Sequence, residues 1–94
     1  MDLKNMTNDK KIELTGDPNT PVDVLRELAK DDNWVVRAAV GANPRTSSTL
    51  LVIILEYEKT LPHPHNYLIK TLYQNTKLPY VALKIIETLY GDMI

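Results

Sequence analysis

The chain has 94 residues, 44% of them hydrophobic, a formal charge of −1 and no cysteine, which suits one core and one domain, spanning 1–94, and leaves no room for a second. The missing cysteine excludes disulfides, thiolate metal ligands, iron–sulfur ligation and cysteine nucleophiles together. Residues 1–47 carry seven Lys/Arg and eight Asp/Glu and residues 48–94 carry four and four, so no basic stripe for phosphate neutralisation stands out.

Six helices are expected in chain order. The first covers about 7–15 with Thr7 as its cap. Thr20-Pro21 then places a hydroxyl before a first-turn proline, and Val22, Leu25, Leu28 and Ala29 share one face of a second helix, about 21–30. Asp32 or Asn33 caps a third, about 33–42, whose Val36, Ala39 and Val40 follow i, i+3, i+4 spacing and which ends before Asn43-Pro44. A fourth begins near Ser47 or Ser48 and runs to 58, a fifth covers 64–75, and a sixth starts at Pro79 and stops at Gly91, a residue suited to a left-handed turn.

The apolar run Leu50 to Leu55 inside the fourth element also reads as a buried strand, because periodicity alone does not separate the two over so short a length. It is far shorter than the roughly 20 residues a bilayer requires. An internal repeat decides for helix. Asp17-Pro18-Asn19-Thr20-Pro21 with Leu25 and Leu28-Ala29 recurs 26 residues later as Asn43-Pro44-Arg45-Thr46-Ser47 with Leu51 and Ile54-Leu55. Val35 to Asn43 recurs as Tyr67 to Asn75 at an offset of 32, and the six additional residues fit the connection from Glu58 to His65. The segment Met1 to Asp9 has no apolar stretch behind a basic start, so a secretory signal is not expected and the cytoplasm is the expected location.

The block from Asp17 to Pro44, with its two Asn/Asp-Pro turns, Trp34 and Val36-Arg37, resembles the leucine-rich repeat variant family, a relative of the HEAT-like helical repeats. The resemblance implies an all-α fold of paired short helices stacked as a right-handed solenoid. It implies an interaction surface rather than catalysis, and the cysteine-ligated iron–sulfur module of some members has no ligands here. The later copy departs from the pattern, with Asn66 in the place of Trp34 and Ile69 in the place of Arg37.

Candidate site residues are Arg26, Trp34, Arg37 and Arg45, as contacts to a partner or between repeats. Arg37 lies in an apolar face, so its guanidinium needs acceptors from Asp31, Asp32 or nearby turn carbonyls, unless it holds a ligand. Trp34 either covers the turn between repeats or anchors a partner. His63 and His65 flank Pro64 with Glu56 and Glu58 upstream, a spacing that aims two imidazoles apart rather than at one metal. Asp31-Asp32 and Glu56/Glu58 read as a cap and a solvated face. The three glycines stand far apart, and five tyrosines lie in the second half with only four Lys/Arg, so neither a phosphate loop nor a base-stacking platform is expected.

The reading is thus a non-catalytic interaction module without metal or cofactor. A protein partner, including a second copy of the chain, is expected, and no membrane. The alternative is nucleic-acid binding through Lys10, Lys11, Arg26, Lys30, Arg37 and Arg45, scattered in sequence but free to converge in space.

Overall fold

Three turns organise the chain, and each repeats the backbone of the one before. The computed structural model describes residues 2–94. Its six α-helices are α1 (Asn8–Gly16), α2 (Val22–Leu28), α3 (Trp34–Ala42), α4 (Ser48–Lys59), α5 (Asn66–Gln74) and α6 (Tyr80–Tyr90). Short 3-10 turns flank them at Leu3–Asn5 and Gly91–Met93, and no strand occurs among the described residues. The run Leu50 to Leu55 is therefore helical, inside α4.

Capping explains where the helices start. The Thr7 hydroxyl accepts from Lys10 N, Asn33 Oδ1 from Val35 N at 2.8 Å, and Ser47 Oγ from Leu50 N, each satisfying a first-turn amide that has no partner within the helix. Of the paired alternatives, Asn33 and Ser47 are thus the caps. Thr20 is not one: its hydroxyl donates back to Leu14 O at 2.7 Å and Pro21 takes the cap position. Two boundaries fall two residues inside the expected ones. The second helix ends at Leu28 because Ala29 and Lys30 tighten into a turn, and the fifth begins only at Asn66, since His65 holds an extended backbone. Gly91 differs too. It keeps right-handed helical angles and continues into the terminal 3-10 turn, so no left-handed stop forms there.

After α1, α3 and α5 the chain leaves each helix through Asp17, Asn43 and Asn75, with φ, ψ of −83°, 120°, then −75°, 121°, then −73°, 122°. Each side-chain oxygen accepts the amide two residues on, from Asn19, Arg45 and Lys77 in turn, all at 2.9 Å. These Asx turns give the backbone a local alternative to continued helix. The two asparagines also donate to the turn before them. Asn43 Nδ2 bonds Thr15 O, and Asn75 Nδ2 bonds Gly41 O at 2.8 Å and Asn43 O at 3.3 Å. Asp17 keeps the acceptor and lacks the donor.

That asymmetry is testable. Asn75→Asp retains the turn but removes the donor and sets a carboxylate against two carbonyls, so urea unfolding is expected to show a loss of about 1–3 kcal/mol. Asp17→Asn changes stability by less than about 0.5 kcal/mol, as an exposed substitution that breaks no bond.

Helix packing follows the same frame. α3 lies between α1 and α5, α2 and α4 pack beside the helices that precede and follow them, and α6 packs against α5 and the terminal 3-10 turn. The core joins Leu28, Val36 and Val40 to Leu51, Ile54 and Leu55, then to Leu68, Ile69, Leu72 and Ile86, all fully buried.

Candidate functional site

Two of the four candidate residues, Trp34 and Arg37, sit together at the start of α3, and the polar centre they belong to is larger than the sequence suggested. Arg37 Nη1 donates to Asp31 O at 2.7 Å and to Asp32 O at 3.2 Å, as expected of a guanidinium seeking turn carbonyls. Its Nη2 donates to Glu58 Oε1 at 2.8 Å. Both side chains are buried, Glu58 completely. Glu58 is therefore no part of a solvated face, which corrects the expectation for that residue. The face of α4 that buries Leu51, Ile54 and Leu55 continues at i+3 and i+4 to position 58.

His65 completes the arrangement from the cap position before α5. Its backbone N–H donates to Glu58 Oε2 at 3.2 Å and its Nδ1 stands 3.2 Å from Oε1. Trp34 stacks on the imidazole at 5.0 Å with the rings 15° apart, and meets Tyr67 edge-on at 6.1 Å. Beneath them the Arg37 guanidinium lies 4.5 Å from the Tyr57 ring centroid, where a cation faces the negative side of the aromatic quadrupole. Nε of Arg37 is the one buried side-chain nitrogen or oxygen among the described residues without a hydrogen-bond partner. The Glu58 charge reaches Tyr90 as well: burial first, then that carboxylate, push the Tyr90 phenol above its ordinary pKa.

A second pair shows what such a pair does. Lys11 precedes Arg37 by the 26-residue repeat offset, and its Nζ donates to Asp31 Oδ1 at 2.7 Å. In both cases a cation in a helix of the α1–α3–α5 row meets an acid 20 or 21 residues later, Asp31 in the turn after α2 and Glu58 near the end of α4. Ile69 stands at the third such position, fully buried, with no charge to satisfy.

Asp31 titrates below its ordinary value. Its burial raises the pKa, but the hydrogen bonds from Lys11 and from Asn33 N, with the charges of Lys11 and Arg37, outweigh this and lower it. A depressed carboxylate contributes stability that is fully present above its unfolded value of about 4 and is lost as pH falls through the lower folded value. Acid titration of the folded state is expected to show a smaller stability loss below about pH 4 in Asp31→Asn than in the parent; equal losses would rule out this contribution.

The other two candidates lie elsewhere. Arg26 is exposed on α2, and Arg45 is exposed in the turn after α3, where its backbone N–H bonds Asn43 Oδ1. Neither joins the Trp34–Arg37 centre. His63 is exposed away from Glu58, and no group of three or more metal-ligating side chains forms among the described residues. Of the tyrosines, Tyr73 donates to Glu87 Oε2 at 2.6 Å, Tyr57 covers Arg37, and Tyr67 and Tyr80 are exposed.

The two ends of the fold differ in polarity. α1 exposes Asn8, Asp9, Lys10 and Glu13 and buries only Thr15. By contrast α6 buries Ala82 and Ile86 on one side yet leaves Val81 70% and Leu89 55% exposed on the other. No helix among the described residues is long and apolar enough to cross a membrane. Comparison with family profiles, curated proteins and solved structures finds no match for this chain.

Proposed function

We propose that the chain is a non-catalytic protein-binding module of the leucine-rich repeat variant type, its helix pairs stacked as a short right-handed solenoid. The repeat part of this reading rests on the recurrence of N-cap position and turn at the same two offsets, 26 and then 32 residues: Thr7, Asn33 and His65 precede α1, α3 and α5, and Asp17, Asn43 and Asn75 follow them. A stack of this kind buries each helix face only against its neighbour, so an apolar face that no neighbouring helix covers stays open.

The binding part rests on one observation, the exposed apolar side of α6 opposite a polar α1. A terminal repeat that serves only to close a stack carries a polar outer face. Nucleic-acid binding is the weaker reading because the two of its six cations that are not exposed are already engaged, Arg37 with Glu58 and Lys11 with Asp31. Affinity capture from the native source, identified by mass spectrometry beside a helical control of similar size, tests the reading. A stoichiometric protein is expected. Recovery of nothing beyond the control, or a salt-dependent shift with duplex DNA, would sink it.

A further inference from the structure

The open side of α6 has a defined shape and charge. Val81, Ile85 and Leu89 recur every four residues and so form one stripe along the helix. Together with Tyr80 and the end of α4 they line a shallow groove of about 550 Å³ in which the only charged groups are Lys59 and Lys84. The two cations come from different helices, α4 and α6. Each has a glutamate one turn away, Glu56 at 3.3 Å and Glu87 at 3.0 Å, and Lys84 Nζ also stands 5.4 Å from the Tyr80 ring centroid; ion pairs at least partly open to solvent contribute little, so each lysine can exchange its glutamate for a partner's carboxylate.

We propose that this groove takes a short amphipathic helix from a partner protein, apolar at i and i+4 with carboxylates beside the apolar side. The proposal rests on the binding-module reading and names the face and the partner chemistry. Charge complementarity carries it: an apolar stripe bordered by two lysines matches a helix whose apolar residues are bordered by Asp or Glu.

A second copy of the chain fits less well. The eleven residues of α6 extend roughly 16 Å, so the stripe alone falls well below the roughly 800 Å² per partner of a stable dimer. An antiparallel pair of α6 helices crossing at Ile85 would also bring Lys84 against its own equivalent. Head-to-tail stacking fares no better, because it would press the stripe onto exposed Asp9, Lys10 and Glu13 of α1. One added helix needs neither a larger patch nor a polar surface to be buried.

The test uses a phage-displayed library of 16-residue helical peptides selected on the full chain, with Val81→Glu/Leu89→Glu as the comparison. Both substituted positions are exposed, and an unchanged melting curve verifies that the variant folds. Enriched peptides are expected to carry apolar residues at i and i+4 flanked by Asp or Glu, to weaken with salt, and to bind the variant at least about tenfold less tightly. Absence of enrichment, enrichment without an acidic bias, or binding unaffected by the variant would each overturn the proposal. So would a doubling of mass by light scattering that the variant abolishes, which assigns the stripe to a second copy. Sedimentation with anionic vesicles that the variant abolishes would assign it to a lipid surface and overturn it equally. Capture of the same stoichiometric partner by chain and variant alike would overturn this inference while leaving the binding-module reading in place.

Discussion

Glu58→Ala is expected to destabilise the protein by about 3–5 kcal/mol, the cost of leaving a buried charge without its partner. Arg37 would keep the two carbonyls of Asp31 and Asp32 but lose the only acid that touches it. His65 would lose the acceptor for its backbone N–H at the same time, which loosens the start of α5. Native domains have only about 5–15 kcal/mol in hand, and each kcal/mol moves the melting temperature of a domain this size by roughly 4–8 °C, so thermal unfolding reads the effect directly. The control is the double substitution Arg37→Met/Glu58→Leu. Replacing a buried pair with apolar groups of similar volume is often neutral or stabilising, so the double variant should recover most of the loss. A double variant as unstable as Glu58→Ala would show that the pair contributes more than mutual satisfaction. Arg37→Lys separates the roles further, since an ammonium cannot match the planar fork that reaches Asp31, Asp32 and Glu58 together.

The same pair explains why the polar centre was only half legible in the sequence. Arg37 drew attention because it interrupts an apolar face, and its carbonyl partners were named from the adjacent turn. Glu58 carries the same kind of signal: it extends the Leu51, Ile54, Leu55 stripe of α4 by one turn. It was obscured by Glu56 and Lys59, which lie close in sequence, are exposed and pair with each other, making the whole segment read as a charged surface. Two charges of opposite sign, each set in an apolar stripe, predict one another; neither stripe does so alone. His65 offered no such signal. Its role depends on the connection between α4 and α5 returning to within 3.2 Å of Glu58, and loop geometry of that kind is not written in residue type or periodicity.

Helices and turns were more legible because their determinants are local. Thr7, Asn33 and Ser47 cap the helices that follow them, and Asn43 stops α3, through bonds that span two or three residues. The donors of Asn43 and Asn75, in contrast, reach across 28 to 34 residues. Both positions were visible as helix stops. Their second function, linking consecutive turns, became clear only once α1, α3 and α5 lay side by side. Gly91 shows the converse: a residue able to adopt a left-handed angle need not do so where the chain can continue in a right-handed turn.

The contact between α3 and α5 supports the second large prediction, at Leu72 and Gly41. Leu72 is fully buried, and a Cβ at Gly41 would stand 3.1 Å from its Cδ2 and 3.9 Å from Ile54 Cδ1. Leu72→Ala therefore opens space beside Gly41, and is expected to cost about 2–5 kcal/mol in urea unfolding. Gly41→Ala alone has two opposed effects: about 1 kcal/mol gained from helix propensity, offset by a methyl that Leu72 must yield to. With Leu72 already truncated the obstacle is gone and the methyl enters vacated space, so the propensity gain should appear in full. The two substitutions are thus expected to be non-additive by about 0.5–2 kcal/mol in the stabilising direction. Strict additivity would mean that Leu72 does not seat against Gly41, and that α3 and α5 stand further apart than the hydrogen bond from Asn75 to Gly41 O requires.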